Sequence, residues 1–413
     1  MFDEDDFLAD GVDLAIAVAI RKANKSRYLF RSNRYRTGMT NVKFAADLAE
    51  EGKRQSDDDE DDDTIQPWLN EEEFVQKYRM SRVSFHILLD KIRDHPVFSS
   101  RRKKQTPVEY QLMTWLKFVG TEGSCASNYN QRSTFGIGYG SGSFFRRRVT
   151  TAIRSLKNQY YYWPDEHERK VIGKEIFTRY DFPHCVSIAD GTLFPLAFEP
   201  ETEDAPDHSG RKYGYSPSTM IFCDHKQRIR HYLAGFPRSA HDSRVFKASR
   251  VASDPKAHFA DREYCISDSA FENSWLMVSA FKKPKGLAIP EAHEKFNEKM
   301  ARLRIISEHC IGMLKGRFPW LRSIRLKITD EKKSIREILA TLEATVIVHN
   351  LLIELGEEER QDWMDLDDFS DMDDADRAPY EEGDALNQAI PVGAPNEERR
   401  TRLMYYFEEH HYF

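Results

Sequence analysis

Cys185-Val186-Ser187-Ile188-Ala189-Asp190-Gly191-Thr192 is a short, mostly apolar run that ends in a carboxylate, a glycine and a hydroxyl. It predicts a buried strand with Asp190 directly after it. The arrangement recurs downstream, where Tyr264-Cys265-Ile266-Ser267 predicts another strand and Asp268 follows at once. A carboxylate at the end of a central strand is pinned by the sheet yet open to solvent where the strands stop. Two such groups on neighbouring strands converge, and their repulsion is costly unless a cation lies between them.

Working outward, Thr219 to Cys223 and Ile229 to Gly235 predict a hairpin around Asp224-His225-Lys226-Gln227, and helices follow at about 291–317 and 333–355. Strands followed by helices predict an α/β core over 180–355. The later stretch supplies a third acid. Glu308 is offset from an apolar stripe of Leu303, Ile306, Cys310 and Leu314, while Arg304 and Lys315 fall on its own face. Three hard carboxylates suit Mg²⁺ or Mn²⁺. Two ions roughly 4 Å apart could activate a water on one side and stabilise a leaving oxygen on the other. Each acid also has an ordinary explanation: Asp190-Gly191 as a turn, Asp268 as a helix cap, Glu308 as the helix partner of Arg304. Their order and matching element types outweigh those explanations.

Residues 66–165 have helical periodicity. Asn70 before Glu71, Glu72 and Glu73 predicts a capped helix start, with a break near Met80-Ser81. Leu112, Trp115, Leu116 and Val119 predict a second helix, ended by Gly120. A glycine-rich segment, Gly136 to Gly142, precedes a third helix with a stripe of Phe145, Val149, Ala152, Ile153 and Leu156. Arg146, Arg147 and Arg148 make that helix basic, so a small all-α helix-turn-helix-like DNA-binding domain is the expectation. Residues 1–65, which include seven consecutive carboxylates at Asp57–Asp63, are expected to be a flexible arm. Residues 356–413 are expected to be an acidic, largely disordered tail.

A net charge of −7 argues against a polyanionic partner only until the charge is mapped. Acid is concentrated in 57–63 and 357–384, and basic clusters lie between, at 101–104, 146–148, 211–212 and 315–327. The acidic N-terminus lacks the basic start of a secretory signal, and no early apolar run is long enough for a bilayer, so an intracellular protein without a membrane partner is expected. Five scattered cysteines with no Cys-x-x-Cys pair predict small core residues rather than disulfides or a zinc site.

Several segments together resemble the Harbinger-type DDE transposases and their nuclease-like relatives. They are Asp190-Gly191-Thr192, Tyr213 to Tyr215, Gly235 to Ser243 with His241-Asp242-Ser243, Ser267-Asp268, Arg304 to Glu308, and Gly312 to Phe318. The likeness covers about 70–355, including Phe74 to Ser81. Ser267 and Phe271 stand where the family usually has glycine and tyrosine, and Ser307 to Gly312 departs from its usual helix motif.

The resemblance implies an RNase H-like catalytic core, a mixed central sheet flanked by helices, with Asp190, Asp268 and Glu308 as a metal-holding catalytic triad. It implies a nuclear enzyme that cleaves double-stranded DNA at element ends and joins the freed 3′-hydroxyl to target DNA. A Myb-like accessory DNA-binding protein is implied as a partner, and a homo-oligomer is a separate expectation that the resemblance does not itself supply. His241 and Asp242 are expected beside the site, Asp242 as a competing acid or a helix N-cap. Arg211, Lys212 and Lys315 are expected to hold phosphates, as are Arg146 to Arg148. Two other readings stay open: a domesticated host protein that binds DNA or a partner without cutting, and an RNA-directed or repair nuclease with an RNase H-like core.

Overall fold

Asn70 opens a helix as its sequence predicts. Its side chain accepts a hydrogen bond from the Glu73 amide at 2.8 Å, and the Glu73 carboxylate takes one from the Asn70 amide at 2.9 Å. This reciprocal pair satisfies donors that a helix start otherwise leaves orphaned. The computed structural model describes residues 69–99, 105–138, 140–198, 209–210, 214–215, 218–236, 246–247, 249–269, 271–282, 288–327, 331–357 and 398–410. The N-terminal arm lies outside the described residues.

Helix α1 (Glu71–Tyr78) ends where Arg79 turns left-handed at φ 65°, and the Ser81 side chain caps α2 (Arg82–Ile92). The break therefore falls where the sequence places it. Helices α3 (Val108–Val119), α4 (Asn128–Phe135) and α5 (Ser141–Arg154) complete a helical layer. Gly136, at φ 60°, ends α4 in a conformation that favours glycine. In α5 the predicted stripe of Phe145, Val149, Ala152 and Ile153 is buried. A further helix, α6 (Glu166–Tyr180), leads into the sheet and is capped by Asp165.

The sheet has five strands: β1 (Cys185–Leu193), β2 (Ser218–Cys223), β3 (Ile229–Phe236), β4 (Tyr264–Ser267) and β5 (Met277–Ser279). Their order is β3-β2-β1-β4-β5. The first three are antiparallel, while β1, β4 and β5 run parallel. The predicted hairpin is β2–β3, and Asp224 shapes its turn by accepting from the amides of Lys226 and Arg228.

Period-two alternation sorts the strands' side chains between two layers. Ile188, Ile221 and Ile266 face α7 (Glu291–Arg317), while Ala189, Phe222 and Cys265 pack with Phe246, Phe259 and Phe271 on the other face. Helix α8 (Glu331–Glu354) links the sheet to the helical layer, since its buried Glu343 pairs with Arg154 and Lys157. One continuous apolar cluster thus runs from Phe74 in α1 to Phe407. Cys185, Cys223, Cys265 and Cys310 are free and buried, in line with their expected core role. No helix among the described residues is long and apolar enough to cross a membrane.

Within the stretch expected to be a disordered tail, α9 (Glu398–Glu409) departs from that expectation. Its acidic surroundings hide an amphipathic helix. Leu403 and Phe407 are fully buried, and the Phe407 ring meets Phe182 edge-on at 5.0 Å. Arg399 donates to the carbonyls of Arg262 and Glu263 at 2.6 and 2.9 Å. Truncating a fully buried phenylalanine typically costs about 3 kcal/mol. Phe407→Ala is therefore expected to lower unfolding stability by about that much in urea, and an unchanged midpoint would show that α9 does not dock.

Candidate active site

The site begins with a mismatch between the two edges of β1. On one side, parallel pairing with β4 has its last register pair at Ile188 and Ile266. On the other, antiparallel pairing with β2 continues, setting Asp190 opposite Ile221 and Leu193 opposite Ser218. The strand therefore does not end before Asp190, as its sequence suggests. Ser218 and Thr219 extend the ladder on the β2 side and keep Asp190 inside β1.

Asp190, within β1, and Asp268, one residue past the end of β4, each lie two residues beyond the Ile188–Ile266 pair. Adjacent strands are roughly 5 Å apart, and an even offset returns a side chain to the same face of the sheet. That face is the one α7 covers. Asp190 is largely buried, and its Oδ1 accepts from the Gly191 amide at 2.8 Å.

Helix α7 brings in Glu308 and Arg304, one turn apart. Arg304 Nη2 lies 3.6 Å from Asp190 Oδ2 and 3.5 Å from Glu308 Oε1. Those two oxygens are thus within about 7 Å of each other. The Arg304–Glu308 pair is the ordinary helix pairing that the spacing suggests; the reach of Arg304 to Asp190 across elements is not legible from spacing. Glu308 stays open to solvent, with 42% of its side chain exposed.

Burial pushes the Asp190 carboxyl up to about 6. Arg304 and the Gly191 amide pull it down, and repulsion from Asp268 and Glu308 pushes it further up. The first and third acids thus meet at Arg304, and both other acids act on Asp190. Among the described residues, no three His, Cys, Asp or Glu side chains are close enough to hold a metal ion. In chemistry the donor set still suits Mg²⁺ or Mn²⁺: hard carboxylate oxygens, one of them buried at an energetic cost.

The expected phosphate-binding residues fare differently. Lys315 follows Glu308 by two turns of α7 and lies 5.7 Å from the Phe194 ring centroid. Burial, then Arg322, lowers its ammonium to about 8. Arg146 and Arg148 are a correction: both are buried in the helical layer instead of facing outward. Arg146 donates to Gln131 and Ser143 and lies 4.4 Å from the Phe118 ring centroid; burial lowers it to about 10. Arg148 donates to the Val97 carbonyl and to Gln105. Arg147 is exposed, with Glu337 at 3.6 Å. Arg211, Lys212, His241 and Asp242 lie outside the described residues.

Residues 189–350 match the family model of the DDE superfamily endonucleases. The matched stretch begins one residue before Asp190 and takes in Asp268, Glu308 and Arg304. No curated protein and no solved structure matches the chain. The mixed five-stranded sheet flanked by helices is consistent with an RNase H-like DDE fold. The superfamily supports a nuclease or transposase activity on DNA and the general use of divalent metal ions.

A native-state pKa near 6, against an ordinary 3.8, fixes the sign of a stability effect. The folded protein binds more protons than the unfolded chain between those values, so ionising Asp190 costs stability as pH rises through that window. Asp190→Asn removes the cost. We expect it to stabilise the metal-free protein by about 3 kcal/mol above pH 6 and progressively less toward pH 4. Urea unfolding at several pH values checks this, and a pH-independent difference would contradict it.

Proposed function

We propose that this chain is a Harbinger-type transposase that cleaves and joins DNA phosphodiester bonds, with Asp190, Asp268 and Glu308 as its metal-holding acids. The single observation that carries the reading is the convergence of charge on Asp190: Arg304 links it to Glu308, and both other acids raise its proton affinity. Bound Mg²⁺ or Mn²⁺, in one or two ions, would supply a more nucleophilic water and neutralise charge on the leaving oxygen. Asp190, held by the β1–β2 ladder, fixes one end of the donor set. Glu308 is the more open acid and faces the solvent from which DNA arrives. Lys315, penalised for its charge by burial, gains from an incoming phosphate that offsets that penalty. Arg147, Arg211 and Lys212 belong to the same reading as backbone contacts. So do a nuclear location, a Myb-like accessory protein and a homo-oligomer.

A second reading, a domesticated protein that binds DNA without cutting, is favoured by one observation. The acids are not gathered into a metal-holding group among the described residues. Nicking of supercoiled DNA in Mg²⁺ or Mn²⁺ separates the two. The transposase reading expects cutting by the wild type and a loss of about a thousandfold or more in Asp268→Ala and in Glu308→Gln. DNA binding without cutting by the wild type supports the domesticated protein instead.

A further inference from the structure

Arg304 is held in an unusual way for an arginine between two carboxylates. The guanidinium commonly makes short, forked hydrogen bonds to a carboxylate. Here its Nη2 approaches Asp190 and Glu308 at 3.6 and 3.5 Å, at or beyond the limit of a hydrogen bond. Its Nε is buried and has no hydrogen-bond partner among the described residues. Charge, more than directional bonding, holds the group between the first and third acids. Neither contact is a short, directional hydrogen bond, so an incoming cation displaces the group without breaking one.

We propose that Arg304 is an internal counter-ion that occupies the cation position of the acid cluster, and that a divalent ion enters only as Arg304 leaves. This rests on reading the acids as a metal site. Without a cation, Asp190 would face two like charges from inside the protein, and Arg304 is the positive group set between it and Glu308. A divalent ion there would repel the guanidinium at the distance where the carboxylates now attract it. The two cations therefore compete for the same oxygens, which makes Arg304 a positioning residue for the metal-free state. Its helix favours such an exchange. Arg304 and Glu308 share one face of α7, so an outward swing of the arginine leaves the glutamate in place.

The test is Mn²⁺ binding to the full chain without DNA, followed by loss of the free Mn²⁺ paramagnetic resonance signal. Arg304→Gln is expected to bind Mn²⁺ about tenfold more tightly than the wild type, the equivalent of losing two weak ion pairs. Arg304→Lys, which keeps the charge, is expected to stay near the wild type. Arg304→Met keeps the packing of the stem and carries the same expectation as Arg304→Gln, so misfolding of one variant leaves the other to decide. Circular dichroism confirms the fold of each. Equal or weaker Mn²⁺ binding by the folded Arg304→Gln and Arg304→Met variants overturns the counter-ion. If Mn²⁺ binding is lost in Asp190→Asn but unchanged in the Arg304 variants, the metal site stands and only the counter-ion falls. If neither the wild type nor the variants bind Mn²⁺, both ideas fall.

Discussion

A carboxylate taken out of water inside a strand is the constraint around which the site is organised. Asp190 has a ladder partner on only one side of β1, because parallel pairing stops at Ile188 while antiparallel pairing continues to Leu193. That half-paired stretch combines a rigid backbone with an opening toward β4. Helix α7 covers the same face and makes the acid's environment dry enough to push its pKa to about 6. Burial is the largest cause, so repulsion from Asp268 and Glu308 adds to a cost already present. A cation is the one kind of group that relieves both. The protein supplies a long-range version of it in Arg304.

Much of the sheet-bearing half was legible because its elements obey simple periods. The strands at 185 and 264, the hairpin around Asp224 and the two long helices lie within a few residues of their expected places. The places of Asp190, Asp268 and Glu308 in the fold were legible for the same reason, since each has a fixed offset from a buried run. Helix α6 was harder to read: charged residues fill most of its turns, and its buried face is confined to Arg169, Ile172, Gly173, Ile176 and Phe177. The cap at Asp165 with Glu166 and Glu168 was its available signal. Strand β5 has three residues, too few for a period to show. The link from Arg304 to Asp190 depends on how α7 lies across the sheet, which no local pattern encodes.

The basic helix α5 shows where charge in a sequence misleads. Arg146, Arg147 and Arg148 are consecutive, so they cannot all share one face of a helix. Two of them turn inward and become part of the helical layer, where Gln131, Ser143, Gln105 and the Val97 carbonyl satisfy their donors. An arginine's long stem and flat head allow this, because the head can stack on a ring such as Phe118 while its edges still donate. Adjacent cations thus read as a surface patch only when their spacing matches the element that carries them. In α5 two of three successive arginines serve a layer of core, and only Arg147 stays on the surface.

The same residue chemistry explains why an acidic stretch ends in a docked helix. Arg399 caps the chain entering β4 by donating to the Arg262 and Glu263 carbonyls, and its guanidinium lies 5.0 Å from the Tyr264 ring centroid. Arg400 reaches the carbonyls of Ser279 and Ala280, where β5 ends, and stacks on Phe281. Phe407, two turns on, packs against Phe296 of α7 at 5.8 Å. One short helix therefore touches the strand that leads to Asp268, the edge strand beside it and the helix that carries Glu308. The distance between two of the three acids depends on how β4 and α7 are set against each other, and α9 grips both. A segment remote in sequence from the acids is in this way built into the frame that holds them.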